Sequence, residues 1–192
     1  MSFRIVEALR KDTLNRFASA AMDTGEAFRI TPQPTGDDGG FELDNGEQFI
    51  LQIVPTESGG TLHLEAPIID PEEKARIDIY ENAEPNDEEL HTNDDLFIHN
   101  QRYDKGMADK EVPDATIRRI DSGELNTTPA DQTEHRVLRE GREYAAEVTD
   151  RNIWRTVPFG DNISIVVEDR SGGNNNALDF SLVLFEGDRL PQ

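Results

Sequence analysis

Four histidines and 40 acidic side chains are the groups in this 192-residue chain best equipped for chemistry. His91 and His99 flank Asp94 and Asp95, which are metal-ligand residue types, yet carboxylates are so dense here that Asp beside His arises by chance. None of His63, His91, His99 and His135 sits in an HExxH or His-x-His spacing, and the seven serines include no GxSxG. Zinc-protease and serine-hydrolase readings lose their usual signatures. Cysteine is absent, which removes disulfides, thiolate zinc sites and cysteine nucleophiles together. The calcium-loop pattern D-x-[DN]-x-[DN]-G-x5-E occurs nowhere; Asp37-Asp38-Gly39-Gly40 and Asp44-Asn45-Gly46-Glu47 could weakly hold a cation, but read first as turns rimmed with surface acids. No GxxxxGK[ST] loop is present, and no GxGxxG follows a strand and opens a helix. Paired carboxylates for glycoside hydrolysis are recognised by their separation in space, which a sequence does not give. The expectation is a protein that is not an enzyme, with no catalytic residues, no metal, no cofactor and no small-molecule substrate.

The acids say more as a population. Against 19 Lys and Arg they leave a formal charge of −21, well outside the magnitude of about 2–8 that suits a small soluble domain. Nucleic-acid binding rests on clustered cations that displace counterions from phosphates, so no specific nucleic-acid partner is expected. Only four of the basic residues are lysine (Lys11, Lys74, Lys105 and Lys110). Few lysines and many acids is how halophile surfaces look. Self-repulsion of this size weakens as the screening length falls from about 10 Å at 0.1 M salt to about 3 Å at 1 M, so the fold should want molar salt.

The elements that would position these groups fall into two parts. Residues 3–22 read as one amphipathic helix, because Phe3, Val6, Leu9, Leu14, Phe17 and Ala21 share a broad face at helical spacing, and Gly25 marks its end. With Arg4, Arg10, Lys11 and Arg16 against Glu7 and Asp12, residues 1–22 carry +2 while the remainder carries −23. The helix therefore suits either packing on its own domain or docking, basic rim first, on an anionic surface such as lipid headgroups. The N-terminus has no apolar signal core and no stretch reaches the ~20 apolar residues of a membrane span, so a soluble product is expected. Asn126-Thr127-Thr128 and Asn162-Ile163-Ser164 match the glycosylation pattern, which is common by chance.

From Phe28 onward short apolar runs alternate with Gly, Pro and Asp clusters. Candidate strands are 28–31, 49–54, 61–64, 77–80, 96–99, 116–120, 136–138, 144–149, 163–168 and 180–185, with Trp154–Gly160 a further strand ending in a turn. There is no βαβ alternation and no fixed repeat. The expectation is an all-β chain: residues 1–25 as the N-terminal helix, and 26–192 as a single jelly-roll or β-sandwich of about 8–10 antiparallel strands. Residues 82–115 carry few large apolar side chains, with Leu96-Phe97-Ile98 the one apolar run, and read as a surface excursion that either meets a partner or is a passive solvated loop. Trp154, the one tryptophan, either covers an end of the core or anchors an interface.

An acid-rich, lysine-poor, cysteine-free chain with one N-terminal helix and a single set of jelly-roll strands resembles a virion shell protein. More narrowly, it resembles the smaller major capsid protein of the haloarchaeal icosahedral viruses with an internal membrane, the lineage of single upright jelly rolls. The likeness spans the chain from residue 3 to residue 185 and rests on architecture and composition, without a diagnostic motif. It implies a structural role, made in the cytoplasm of a halophilic host and located in the virion capsid. There it would form homo- and hetero-oligomers with a related capsid protein, building capsomers above the internal viral membrane. In that setting Arg4, Arg10, Lys11 and Arg16 would contact the inner shell or membrane, and Trp154, Leu96 and Phe97 would meet neighbouring subunits. At 35% hydrophobic residues the chain has little apolar surface to spare, so such interfaces would be polar and salt-dependent. Two other readings share the β-rich, acidic character. One is a decoration, turret or spike protein of a haloarchaeal tailed virus; the other is a halophilic carbohydrate-binding β-sandwich, for which exposed aromatics are scarce.

Overall fold

The computed structural model describes residues 27–35, 41–57, 60–86, 91–92, 96–100, 113–139, 144–145, 153–173 and 175–187. These residues are all-β, with every strand pairing antiparallel. In chain order the strands are β1 (Ala27–Pro32), β2 (Glu42–Leu43), β3 (Gln48–Pro55), β4 (Thr61–Glu65), β5 (Ile68–Pro71), β6 (Ala75–Glu81), β7 (Glu84–Pro85) and β8 (His91–Thr92). They continue as β9 (Leu96–Asn100), β10 (Ala115–Ile120), β11 (Leu125–Asn126), β12 (Gln132–Leu138), β13 (Tyr144–Ala145), β14 (Ile153–Val157), β15 (Ile163–Asp169) and β16 (Asn176–Gly187). The expected helix at 3–22, with Arg4, Arg10, Lys11 and Arg16, lies outside the described residues.

Several short strands are pieces of one row. β4 and β5 run end to end along one edge of β16, broken at Ala66-Pro67, where proline cannot donate to the ladder. β1 and β2 share the opposite edge of β16, and β14 and β13 flank β4 and β5. Counted by rows, eight principal strands remain. The first sheet reads β1, β16, β4–β5, β13–β14, and the second reads β3, β15, β6, β12. The first row thus pairs with the eighth, the second with the seventh, the third with the sixth and the fourth with the fifth. That nested order is a hairpin rolled on itself, a jelly roll.

The core lies between the two sheets and follows from period-two patterning. Leu178, Phe180, Leu182 and Leu184 of β16 face Ile163, Ile165 and Val167 of β15 across one apolar cluster. Each fully buried side chain of this size contributes about 1.5–3 kcal/mol. Phe41, Phe49 and Phe180 close one end edge to face, at 5.1 and 5.0 Å between ring centroids, with the Arg119 guanidinium 5.3 Å above Phe41.

The stretch between the fourth and fifth rows is the long polar one. Its described residues extend both sheets: β9 pairs with β1, β10 with β3, and β8 with β10. β7 and β11 form a separate ribbon, and Leu125 and Tyr80 pack there against Ile50, Ile120 and Val166, a small second cluster on the outer face of the second sheet.

Candidate functional site

The outer face of the second sheet carries the densest charge chemistry among the described residues. Register places Glu168 between Gln48 and Arg76, and Asp78 between Val166 and His135. A ladder results: Arg170 and Arg76 each reach Glu168 at 2.6 Å, and Arg76 Nε reaches Asp78 at 2.7 Å. The Asp78 carboxylate, 2% exposed, also accepts from Gln132 Nε2 at 2.7 Å and meets His135 Nδ1 at 2.5 Å. Burial, helped by the Asp78 charge, pushes the neighbouring Tyr80 phenol above its ordinary pKa. A histidine held by a carboxylate is oriented as a general base is, but a nucleophile must stand within reach. Ser122, Ser164 and Ser171 are bonded to Gln48, Gln52 and Asp169 instead. With Gln48 Nε2 donating to Glu168 Oε2 at 3.3 Å, the ladder binds four strands together by ion pairs and hydrogen bonds to its two carboxylates.

Two buried polar nodes sit at opposite ends of the sandwich. At one end Asp169, fully buried, accepts from Ser171 N at 2.9 Å, Ser171 Oγ at 2.8 Å and Asn176 Nδ2 at 2.6 Å. Asn176 Oδ1 in turn accepts from Glu73 N, so one carboxylate ties the turn after β15, through Asn176, to the turn between β5 and β6. At the other end the fully buried Gln52 amide donates to the Ala83 carbonyl at 2.8 Å and to Ser164 Oγ at 3.1 Å, and accepts from Arg118 Nε at 2.8 Å. Asn82, at φ 60°, accepts from Asn162 N, and Asp114 N donates to Glu186 Oε1. The polar stretch is therefore pinned to the jelly roll where it leaves and where it returns.

The residues singled out by sequence fall in different places. Trp154 is half-buried against the core with the Arg155 guanidinium 5.2 Å from its ring, and Arg155 reaches Glu134 of β12 at 4.0 Å, so the pair bridges the two sheets at this edge. Leu96 is a core residue, while Phe97, its neighbour on β9, is 41% exposed and stacked on His99. Phe97 and Trp154 are not brought together: β9 and β14 lie at opposite edges of the first sheet. The side chains of His91, Asp94 and Asp95, and the turn at 37–40, lie outside the described residues. The turn at 44–47 spends its polar atoms internally, with Asp44 Oδ1 accepting from Asn175 N and Asn45 Oδ1 from Gly172 N. No cluster of three metal-ligating side chains occurs among the described residues. Asn162, in the second glycosylation pattern, is buried and donates to Glu84. Asp169 and Asp78 do not stand out among the acids of the sequence; the available signals were an acid closing the apolar run of β15 and an acid set between two isoleucines in β6.

No protein-family model matches this chain, and no curated protein matches it significantly.

Proposed function

We propose that this chain is a structural virion protein: a single jelly-roll capsid subunit of a halophilic archaeal virus, not an enzyme, assembling with a related subunit into capsomers over an internal membrane. The observation that carries the reading is the nested strand order of a single jelly roll on a chain of charge −21, a fold that recurs in viral shells. The buried polar groups support it, because they tie strands and turns to one another, as a load-carrying shell requires. Phe97, Val137 and Phe159, each more than 40% exposed, offer small apolar contacts in an otherwise charged surface. A sugar platform is disfavoured by Trp154, whose ring is taken up by the core and Arg155.

At molar salt only direct contacts between charges survive screening, so the membrane side of the reading rests on close pairing of Arg4, Arg10, Lys11 and Arg16 with lipid phosphates. Electron micrographs of the protein on anionic vesicles in about 2–3 M salt, where screening is nearly complete, are expected to show a regular coat. Replacing the four cations by Gln is expected to leave the vesicles bare. Vesicles bare of the unaltered protein would contradict the reading.

A further inference from the structure

The first sheet buries side chains on the face that points away from the core. Along β16, Leu178, Phe180, Leu182 and Leu184 point inward, so Val183 and Phe185 point outward by alternation. Ala27 on β1 and His63 on β4 point outward for the same reason. Register sets Ala27, Phe185 and His63 in one row across three strands, with Val183 beside Arg29 in the next. An outward row of an exposed sheet should be wet. Instead Ala27 and Phe185 are 0% exposed, His63 is 2% and Val183 is 8%. No described strand is layered there: the two large sheets meet through their inner faces, and the β7–β11 ribbon packs on the other sheet.

We propose that the N-terminal segment, residues 1–26, is the cover, its apolar stripe laid across β1, β16 and β4. This deepens the capsid reading and rests on it only for the role of the cations, of which Arg4 and Lys11 fall opposite the apolar stripe at helical spacing. Three observations favour this occupant. The segment runs directly into Ala27, itself in the buried row. Among the segments outside the described residues it alone repeats large apolar residues, with Phe3, Val6, Leu9, Leu14 and Phe17; the next richest, 101–112, offers Tyr103, Met107 and Val112. The +2 carried by its residues 1–22 also complements the −23 of the rest of the chain. The dimensions agree. A helix about 10 Å wide covers three strands set about 4.8 Å apart, and the four linking residues 23–26 span five Cα steps, about 17 Å, enough for the helix to fold back.

The chain has no cysteine, which makes the test clean. Arg29, exposed and beside Val183, is replaced in the full chain (Arg29→Cys), labelled with a benzophenone maleimide and photolysed in molar salt. The expected result is an intramolecular cross-link whose tryptic partner lies within residues 1–26. A cross-link to 101–112, or to a second copy of the chain, overturns the proposal. As an independent readout, Val183→Cys should react with a soluble thiol reagent at least about 100-fold more slowly than Ile68→Cys on the same face, and Leu14→Ser with Phe17→Ser should remove that difference. Protection that persists after those substitutions also overturns it. Neither readout depends on shell formation, so the cover stands or falls separately from the capsid reading.

Discussion

At the scale of single residues the chain spends its buried polar groups on architecture. Asp169 shows this most plainly, because a fully buried carboxylate is stabilised only by the donors gathered round it. Asp169→Ala leaves Ser171 and Asn176 without their acceptor and is expected to cost about 2–4 kcal/mol. For a domain of this size that lowers the thermal midpoint by roughly 4–16 °C, at about 2–4 °C per kcal/mol. Calorimetry in molar salt measures it. His63 gives a pH dependence. Burial lowers its pKa, and its Nδ1 lies 3.1 Å from Thr156 Oγ1. Above the unfolded value of about 6.5 the ring is neutral in both states. Below that value the unfolded chain takes the proton first, so stability is lost as pH falls from 6.5 toward the folded pKa. Thermal midpoints between pH 7.5 and 5.5 should fall for the native chain and stay flatter for His63→Phe; equal slopes would place the titrating group elsewhere. None of this was legible in the sequence, where Asp169 is one acid of 40 and His63 is an ordinary strand histidine until its row is covered.

At the scale of elements the apolar runs announced most of the fold. Runs such as 49–54, 77–80, 116–120 and 163–168 became β3, β6, β10 and β15 with ends shifted by one or two residues. Such runs alternate or are continuously apolar, and both patterns are read from local spacing. β2, β5, β7, β8 and β11 were not anticipated: four of them are two-residue pairings and the fifth, Ile68–Pro71, sits behind a proline. β16 begins at Asn176, four residues before its apolar run, because β2 and β5 pair with its polar start. Long-range register, not local propensity, makes those residues a strand. The departure of the polar stretch from β6 is equally a matter of register. Asn82 holds a left-handed φ of 60° beside Asn162. Asn82→Val, a β-branched residue in that region, is expected to cost about 1–2 kcal/mol for the backbone plus the lost hydrogen bond. Asn82→Gly should cost less, and denaturant midpoints of the two variants compare them directly.

At the scale of the whole molecule, charge and topology have to be accommodated together. The described ion pairs neutralise a strip of the second sheet through Arg76, Arg170, Glu168 and Asp78, but −21 remains to be screened. The account therefore predicts a cooperative unfolding transition at about 2–3 M salt and none at about 10 mM, where the screening length is near 30 Å and repulsion acts across the whole domain. Circular dichroism against temperature at both salts distinguishes the cases, and a native transition retained at low salt would end the halophile reading. Composition gave this expectation and the strand runs gave the sandwich. The nested order of the rows was not legible, since sheet neighbours are fixed by contacts between distant segments.

The proposed shell role requires this jelly roll to assemble. The measurement that tests it most directly is the mass of the purified protein in about 2–3 M salt, where charge repulsion between copies is screened, by light scattering behind a sizing column across a concentration series. The account predicts a discrete oligomer of several copies whose population grows with concentration. A strict 21.6 kDa monomer at every concentration, unchanged when the related shell subunit is added, would contradict it.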